Sequence, residues 1–182
     1  PDVAIDALFA FSDCEVSISP NACVIIDDKP HFLSVEEILE RCTFRTRDLL
    51  RRELEIKEHE LLEKWHLASL EKVFIENRIY HEIEECESWD EVLETIDREL
   101  RRYVVCPSEN PQPGDSRLRL MRDITQDDIV RLTEIKIKRI SKYNSFKADE
   151  MIAALEEEIR QVRYDLDHLT DFSIAYYRRL LE

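Results

Sequence analysis

Apolar positions near the C-terminus recur at alternating intervals of three and four residues: Ile152, Leu155, Ile159, Val162, Leu166, Leu169, Ser173, Tyr176 and Leu180. Only Ser173 departs from the apolar character. A 3.5-residue period sustained this long keeps one narrow stripe facing a partner helix, which is the coiled-coil signature. The partner starts at a capping box, Ser34-Val35-Glu36-Glu37. No Pro or Gly follows until beyond Glu84, so an unbroken helix would span roughly 75 Å at ~1.5 Å per residue. Its best register reads Leu39, Cys42, Thr46, Leu49, Glu53, Ile56, Glu60, Glu63, Leu67, Leu70, Phe74 and Asn77. A second stripe (Leu50, Leu54, Leu61, Trp65, Ala68) runs beside it. This helix therefore touches more than one surface or breaks near Trp65-His66.

The remaining segments are shorter. Residues 1–13 pattern as a helix with Val3, Ile5, Leu8 and Phe9 on one face. Val16 and Ile18 then alternate with Ser17 and Ser19, and Pro20-Asn21 punctuates the run. Cys23–Ile26, a turn at Asp27-Asp28, and His31-Phe32-Leu33 complete a small β meander. Ser88-Trp89-Asp90-Glu91 caps a helix to about Tyr103, with Val92, Leu93, Ile96 and Leu100 inward. Pro107, Pro111, Pro113 and Gly114 mark a loop over 106–116. Thr125-Gln126-Asp127-Asp128 caps a third helix carrying Ile129, Leu132, Ile135, Ile137 and Ile140. Asn144-Ser145 caps the last helix, ~57 Å long if unbroken. Trp65, Trp89, Phe74 and Ile79 are expected in the core of the globule or its neck. The predicted fold is mainly α: a long antiparallel coiled coil capped by a small helical globular domain, with a small β meander near the N-terminus. The predicted division is 1–33, 34–84 (outgoing arm), 85–143 (globule) and 144–182 (returning arm).

Composition agrees with long wet helices. The chain has 182 residues, 37% charged and 43% hydrophobic, with one glycine. Its net charge of -15 repels free polyanions from most of the surface. No apolar run approaches membrane-spanning length, and no signal peptide is visible. The five cysteines, at 14, 23, 42, 86 and 106, are odd in number and lack metal-ligand spacing. They fit reduced core thiols in a cytosolic protein. The start at Pro1 and the end in mid-helix at Leu181-Glu182 suggest a piece of a longer polypeptide.

No catalytic constellation emerges, and no cofactor-binding or metal residue is assigned. His59-Glu60 and His81-Glu82 lack the second histidine four residues on that a zincin helix needs. Glu84-Glu85-Glu87 and Glu156-Glu157-Glu158 read as solvated helical charge. Tyr176-Tyr177 is a conceivable nucleophile, but Tyr176 belongs to the packing stripe. The cluster Lys136, Lys138, Arg139 and Lys142 is the one positive island. It either offsets a helix dipole or meets an acidic partner surface. The third helix carries apolar residues on two sides, so both need burial, inside the globule or against another chain.

The stretch Cys14-Glu15-Val16-Ser17-Ile18-Ser19-Pro20-Asn21, the valine-rich strand after it, and Leu33-Ser34-Val35-Glu36-Glu37-Ile38-Leu39 resemble the A subunit of bacterial type IIA topoisomerases. So does Leu132-Thr133-Glu134-Ile135-Lys136-Ile137-Lys138-Arg139-Ile140, which looks like that family's Leu-rich helix before the returning arm. The Lys142-Tyr143-Asn144-Ser145 wording and the Ile174-Ala175-Tyr176-Tyr177 ending look most like topoisomerase IV A subunits of the Bacteroidetes type. The resemblance covers nearly the whole chain. It implies the end of a tower domain at about 1–33, coiled-coil arms, and a globule that dimerises as the exit gate for transported DNA. The resemblance implies that the family's catalytic tyrosine, in an Arg-Tyr context, lies in a winged-helix domain upstream of this piece, so this piece by itself would be inactive. The resemblance also implies ATP and Mg used through a B subunit, DNA handled by the whole enzyme with little or none bound here, and a cytoplasmic, nucleoid-associated location. The expected dimer contacts are Leu132, Ile135, Lys136, Arg139, Ile140 and Tyr143. The alternatives are a generic cytosolic coiled-coil scaffold, which leaves the β meander unexplained, and an independent enzyme using its carboxylates.

Overall fold

The computed structural model describes residues 2–14, 22–109 and 115–182. The predicted Val16–Ile18 strand, Pro20-Asn21 and part of the proline loop (110–114, with Pro111, Pro113 and Gly114) lie outside the described residues. The chain divides into two compact units, Pro1–Thr46 and Arg47–Glu182.

The first unit holds α1 (Asp2–Phe11), β1 (Cys23–Ile26), β2 (Lys29–Phe32) and the opening turns of α2 (Val35–Glu76). The two strands pair antiparallel, with Cys23 opposite Phe32 and Ile26 opposite Lys29. Asp27 and Asp28 join them at φ 48° and 60°. Two left-handed residues in a two-residue loop match the right-handed twist of the strands, and Asp tolerates that region better than most side chains. The start of α2 is the capping box read from sequence: Ser34 N–H donates to Glu37 Oε2 at 2.8 Å, and Glu37 N–H donates to Ser34 Oγ at 3.3 Å. No residue of α1 is buried, and Phe11, Phe32 and Leu39 lie open.

The second unit is built on an antiparallel helix pair: α2 from Arg47 onward against α7 (Ser145–Asp167) and α8 (Leu169–Leu181). Side-chain bonds set the register. Ser145 donates to Glu76, Lys72 pairs with Asp149, Trp65 Nε1 donates to Glu156 Oε1 at 3.0 Å, and Arg163 Nε donates to Glu58 Oε1 at 2.6 Å. Each seven-residue step from 72 to 65 to 58 is answered by one from 149 to 156 to 163, so the two helices share a single heptad register. Between Leu50 and Trp65 the buried stripe of α2 is Leu50, Leu54, Leu61 and Trp65, the stripe expected to be secondary, whereas further along Leu70 and Phe74 of the register expected to be best are buried. The register expected to be best leaves Leu39, Leu49 and Ile56 exposed. In that stretch its Glu53 and Glu60 would have placed two carboxylates in the seam, and burying unpaired charge costs more than the extra leucines return. Opposite lie Leu155, Ile159, Val162, Leu169 and Ser173, all buried, with Ile152, Leu166 and Tyr176 half-buried. Leu180 is 65% exposed.

The helices are shorter than the sequence suggested. α2 does not break at Trp65-His66 but stops at Glu76, well before Glu84, where Arg78 turns left-handed at φ 54°. The Val73 carbonyl accepts both the backbone N–H of Asn77 at 3.1 Å and its side-chain amide at 2.9 Å. The returning helix is interrupted at His168 (φ -112°, ψ 40°), whose ring stacks on Tyr164. The third helix is two pieces, α5 (Gln126–Thr133) and α6 (Ile137–Ser141), separated by an extended Lys136. A single helix would bring Ile137 onto the face opposite Ile135, and the break leaves Ile137 82% exposed instead.

Between the long helices sit α3 (Ile79–Glu82), α4 (Trp89–Leu100), β3 (Val104–Val105), β4 (Leu118–Arg119), α5 and α6. The sequence pattern did not reveal the short parallel pairing of β3 with β4. Leu70, Phe74, Ile79, Ile96, Leu100, Val104 and Cys106 form the driest part of the core. Trp65 is buried as expected, but Trp89, in the first turn of α4, is 55% exposed.

Candidate functional site

α5 is held to α2 by a charged clasp. Arg122 donates to both carboxylate oxygens of Glu63 on α2 (2.7 and 2.8 Å) and to both of Asp128 on α5 (2.6 and 2.8 Å). Asp128 is almost wholly buried and also closes a capping box with Thr125. Burial alone would raise the Asp128 pKa, yet the bonds from Arg122 and Thr125 prevail and hold it far below the usual carboxylate range. Beneath the clasp lies His66, buried at 1% exposure, with Nε2 3.4 Å from Asp128 Oδ2. That separation is long for a hydrogen bond, and neither ring nitrogen has a partner among the described residues. Burial, and then the Arg122 charge, push the His66 pKa down.

This clasp positions the concave surface where the sequence-predicted interface residues collect. An open groove of about 660 Å³ is lined by Leu67 and Glu71 of α2, by Arg131, Leu132, Glu134, Ile135 and Lys136, and by Lys138, Arg139 and Lys142. Leu132, Ile135, Lys136 and Arg139 thus come together. Tyr143 lies in an adjoining hollow of about 250 Å³ that shares Glu71, Arg139 and Lys142 with the groove. Ile140 is half-buried against the core. Leu132, at 3% exposure, belongs to the floor rather than the rim. Arg139 is held by Glu71, with Nη2 2.7 Å from Oε2. Arg131, Lys136, Lys138 and Lys142 have no carboxylate in ion-pair range among the described residues. The Tyr143 hydroxyl is buried without a hydrogen-bond partner among them, and burial together with Glu76 and Glu71 pushes its pKa up to about 12.

Sequence reasoning did not place Leu67, Glu71 or Arg131 at this surface. No local signal could have, because α2 meets the α5–α6 corner from some sixty residues away. The clasp was half visible, since Asp128 was assigned to a helix start, whereas its pairing with Arg122 and Glu63 is purely tertiary. The carboxylate runs gather no site. Glu156 receives the Trp65 indole, and His81 pairs with Glu84 at 3.0 Å in solvent. Among the described residues no group of three or more His, Cys, Asp or Glu could hold a metal ion, and no helix is long and apolar enough to cross a membrane.

Comparison with known proteins adds two findings. The family model for the A subunit of DNA gyrase/topoisomerase IV matches residues 1–177. The chain is also similar to the A subunit of DNA topoisomerase 4 from Borreliella burgdorferi, 24% identical over 177 residues, which is 97% of this chain and 26% of that protein. The chain therefore spans about a quarter of the length of this curated relative. No solved structure matches significantly.

Proposed function

The chain belongs to the family of DNA gyrase/topoisomerase IV A subunits, and on that premise we propose that it forms the exit gate of a type II topoisomerase. In this reading the paired helices carry the α5–α6 corner away from the site of DNA cleavage. Two corners meet about a twofold axis and enclose the space through which the transported duplex leaves. The observation that carries the reading is the groove: it gathers Ile135, Lys136 and Arg139 over the Leu132 floor, beside Tyr143 and the open Ile137. A gate must open, so a modest, partly polar contact suits it better than a large permanent core. The acidic remainder of the chain keeps a passing duplex from adhering. Strand cleavage belongs to the rest of the A subunit, and the use of ATP and Mg to a B subunit, in the cytoplasm. This chain supplies no residue to those steps.

The test is the mass of the chain by light scattering or sedimentation. Leu132 is a poor target, because an aspartate there would disrupt the fold itself. Ile137 is 82% exposed, so Ile137→Asp leaves the fold intact. We expect a dimer for the natural chain and a monomer with unchanged circular dichroism for Ile137→Asp. A natural chain that stays monomeric at high micromolar concentration would refute the gate.

A further inference from the structure

The groove has a charge problem if it simply meets its own copy. In a twofold contact the same patch lies on both sides, and here that patch carries Arg131, Lys136, Lys138 and Lys142 unpaired among the described residues. Its two acids are Glu71, already held by Arg139, and Glu134. Two such surfaces pressed together would repel. The complement has to come from elsewhere on the mate.

One segment has the matching chemistry. Between Glu82 and Glu94 there are seven acidic residues among thirteen and no Lys or Arg. Among the described residues only Glu84 of these has an ion-pair partner, the exposed His81. In their midst stands Trp89, 55% exposed at the start of α4, its indole N–H donating to no group among the described residues. An apolar ring set among carboxylates fits a groove with an apolar floor (Leu67, Leu132, Ile135) and a cationic rim. None of residues 82–94 lines the groove of its own chain. The apolar floor also favours this occupant over a phosphate backbone, which offers nothing to bury there.

Resting on the gate reading above, we infer that the acidic turn at 82–94 of one copy docks in the basic groove at 131–142 of the other, and the reverse. The dimer is thus held by two equivalent, reciprocal contacts. Each is a charge-complementary rim around a buried aromatic anchor, an arrangement whose strength falls as salt rises.

A charge swap tests it. One variant carries Lys136→Glu, Lys138→Glu and Lys142→Glu, and the other carries Glu84→Lys, Glu85→Lys and Glu87→Lys. All six positions are exposed, so both variants keep the fold. In each homodimer both contacts now oppose like charges, and the affinity should fall roughly tenfold or more. In the mixed dimer one contact is natural and the other is swapped in both partners, so mixing the variants should restore the natural dissociation constant. A mixture no tighter than its components, or variants that dimerise like the natural chain, overturns the pairing while leaving the gate intact. A natural chain that is monomeric refutes the gate itself. Binding of a labelled DNA duplex that the triple lysine variant abolishes would assign the groove to nucleic acid and also overturn the proposal.

Discussion

His66 is buried beside the Arg122 clasp, its ring nitrogens without a hydrogen-bond partner among the described residues, and its titration is a stability property of the fold. The groups facing it are Glu63 on its own helix, Arg122 from the connecting segment and Asp128 on α5. Its folded pKa lies below the ordinary 6.5. Above that value both folded and unfolded chains hold it neutral. Below it the unfolded chain takes up a proton that the folded chain resists, so stability falls as pH falls. Asp128 acts lower on the scale, its contribution being complete above about pH 4 and lost in stronger acid. The melting temperature should therefore drop between about pH 7 and 5, and His66→Gln should flatten that part of the profile. An unaltered slope in His66→Gln would show that His66 is not the titrating group. The capping acid Asp128 was readable from Thr125-Gln126-Asp127-Asp128 because caps are local. His66 was unremarkable in sequence, since its burial depends on α5 lying across it.

At the scale of elements, period and burial part company at both ends of the seam. The three-four spacing from Ile152 to Leu180 is unbroken in sequence, yet only its middle is dry. Ile159→Ala should cost about 3 kcal/mol through lost contact and the cavity left behind, whereas Leu180→Ala should change stability by no more than about 0.5 kcal/mol. Urea denaturation of the two variants measures the contrast, and equal costs would mean that Leu180 is covered in solution. The outgoing helix teaches a related lesson. Two stripes competed there, and the one with more apolar positions is buried at Leu70 and Phe74 but lost the stretch from Leu49 to Glu60, where it also carried Glu53 and Glu60. A count of apolar matches does not weigh the penalty of a buried carboxylate. The helix starts set by Ser34, Ser88, Thr125 and Asn144 were legible, and those of α3, α6 and α8, which no side chain caps, were not. Helix ends were not, because they depend on left-handed Arg78 and on the His168 kink, neither of which carries a glycine to announce it.

Taken whole, the molecule has its stability unevenly placed. Among the described residues, the unit Arg47–Glu182 contains all the buried hydrophobic side chains, while α1 and the hairpin bury none. Amide exchange should be slow in α2 beyond Leu50, in α4 and in the middle of α7, and fast throughout α1, β1 and β2. Equal protection in α1 and α7 would contradict this division. The net charge of -15 operates at this scale as well. Self-repulsion disfavours any association except through the positive groove, so added salt should help unrelated surfaces approach and at the same time weaken the specific contact.

By itself the sequence determined the helical class, the starts of α2, α4, α5 and α7, the hairpin turn and the sign of the surface. Each of these rests on interactions between residues a few positions apart, whose energies do not wait for the fold. Only the tertiary structure decided which stripe of α2 is buried, where the helices stop and how the third helix breaks. It also decided that Glu71, Arg131 and Lys138 share one groove with Ile135. Those outcomes depend on groups far apart in the chain competing for the same space and the same charges, and spacing along the sequence carries no record of that competition.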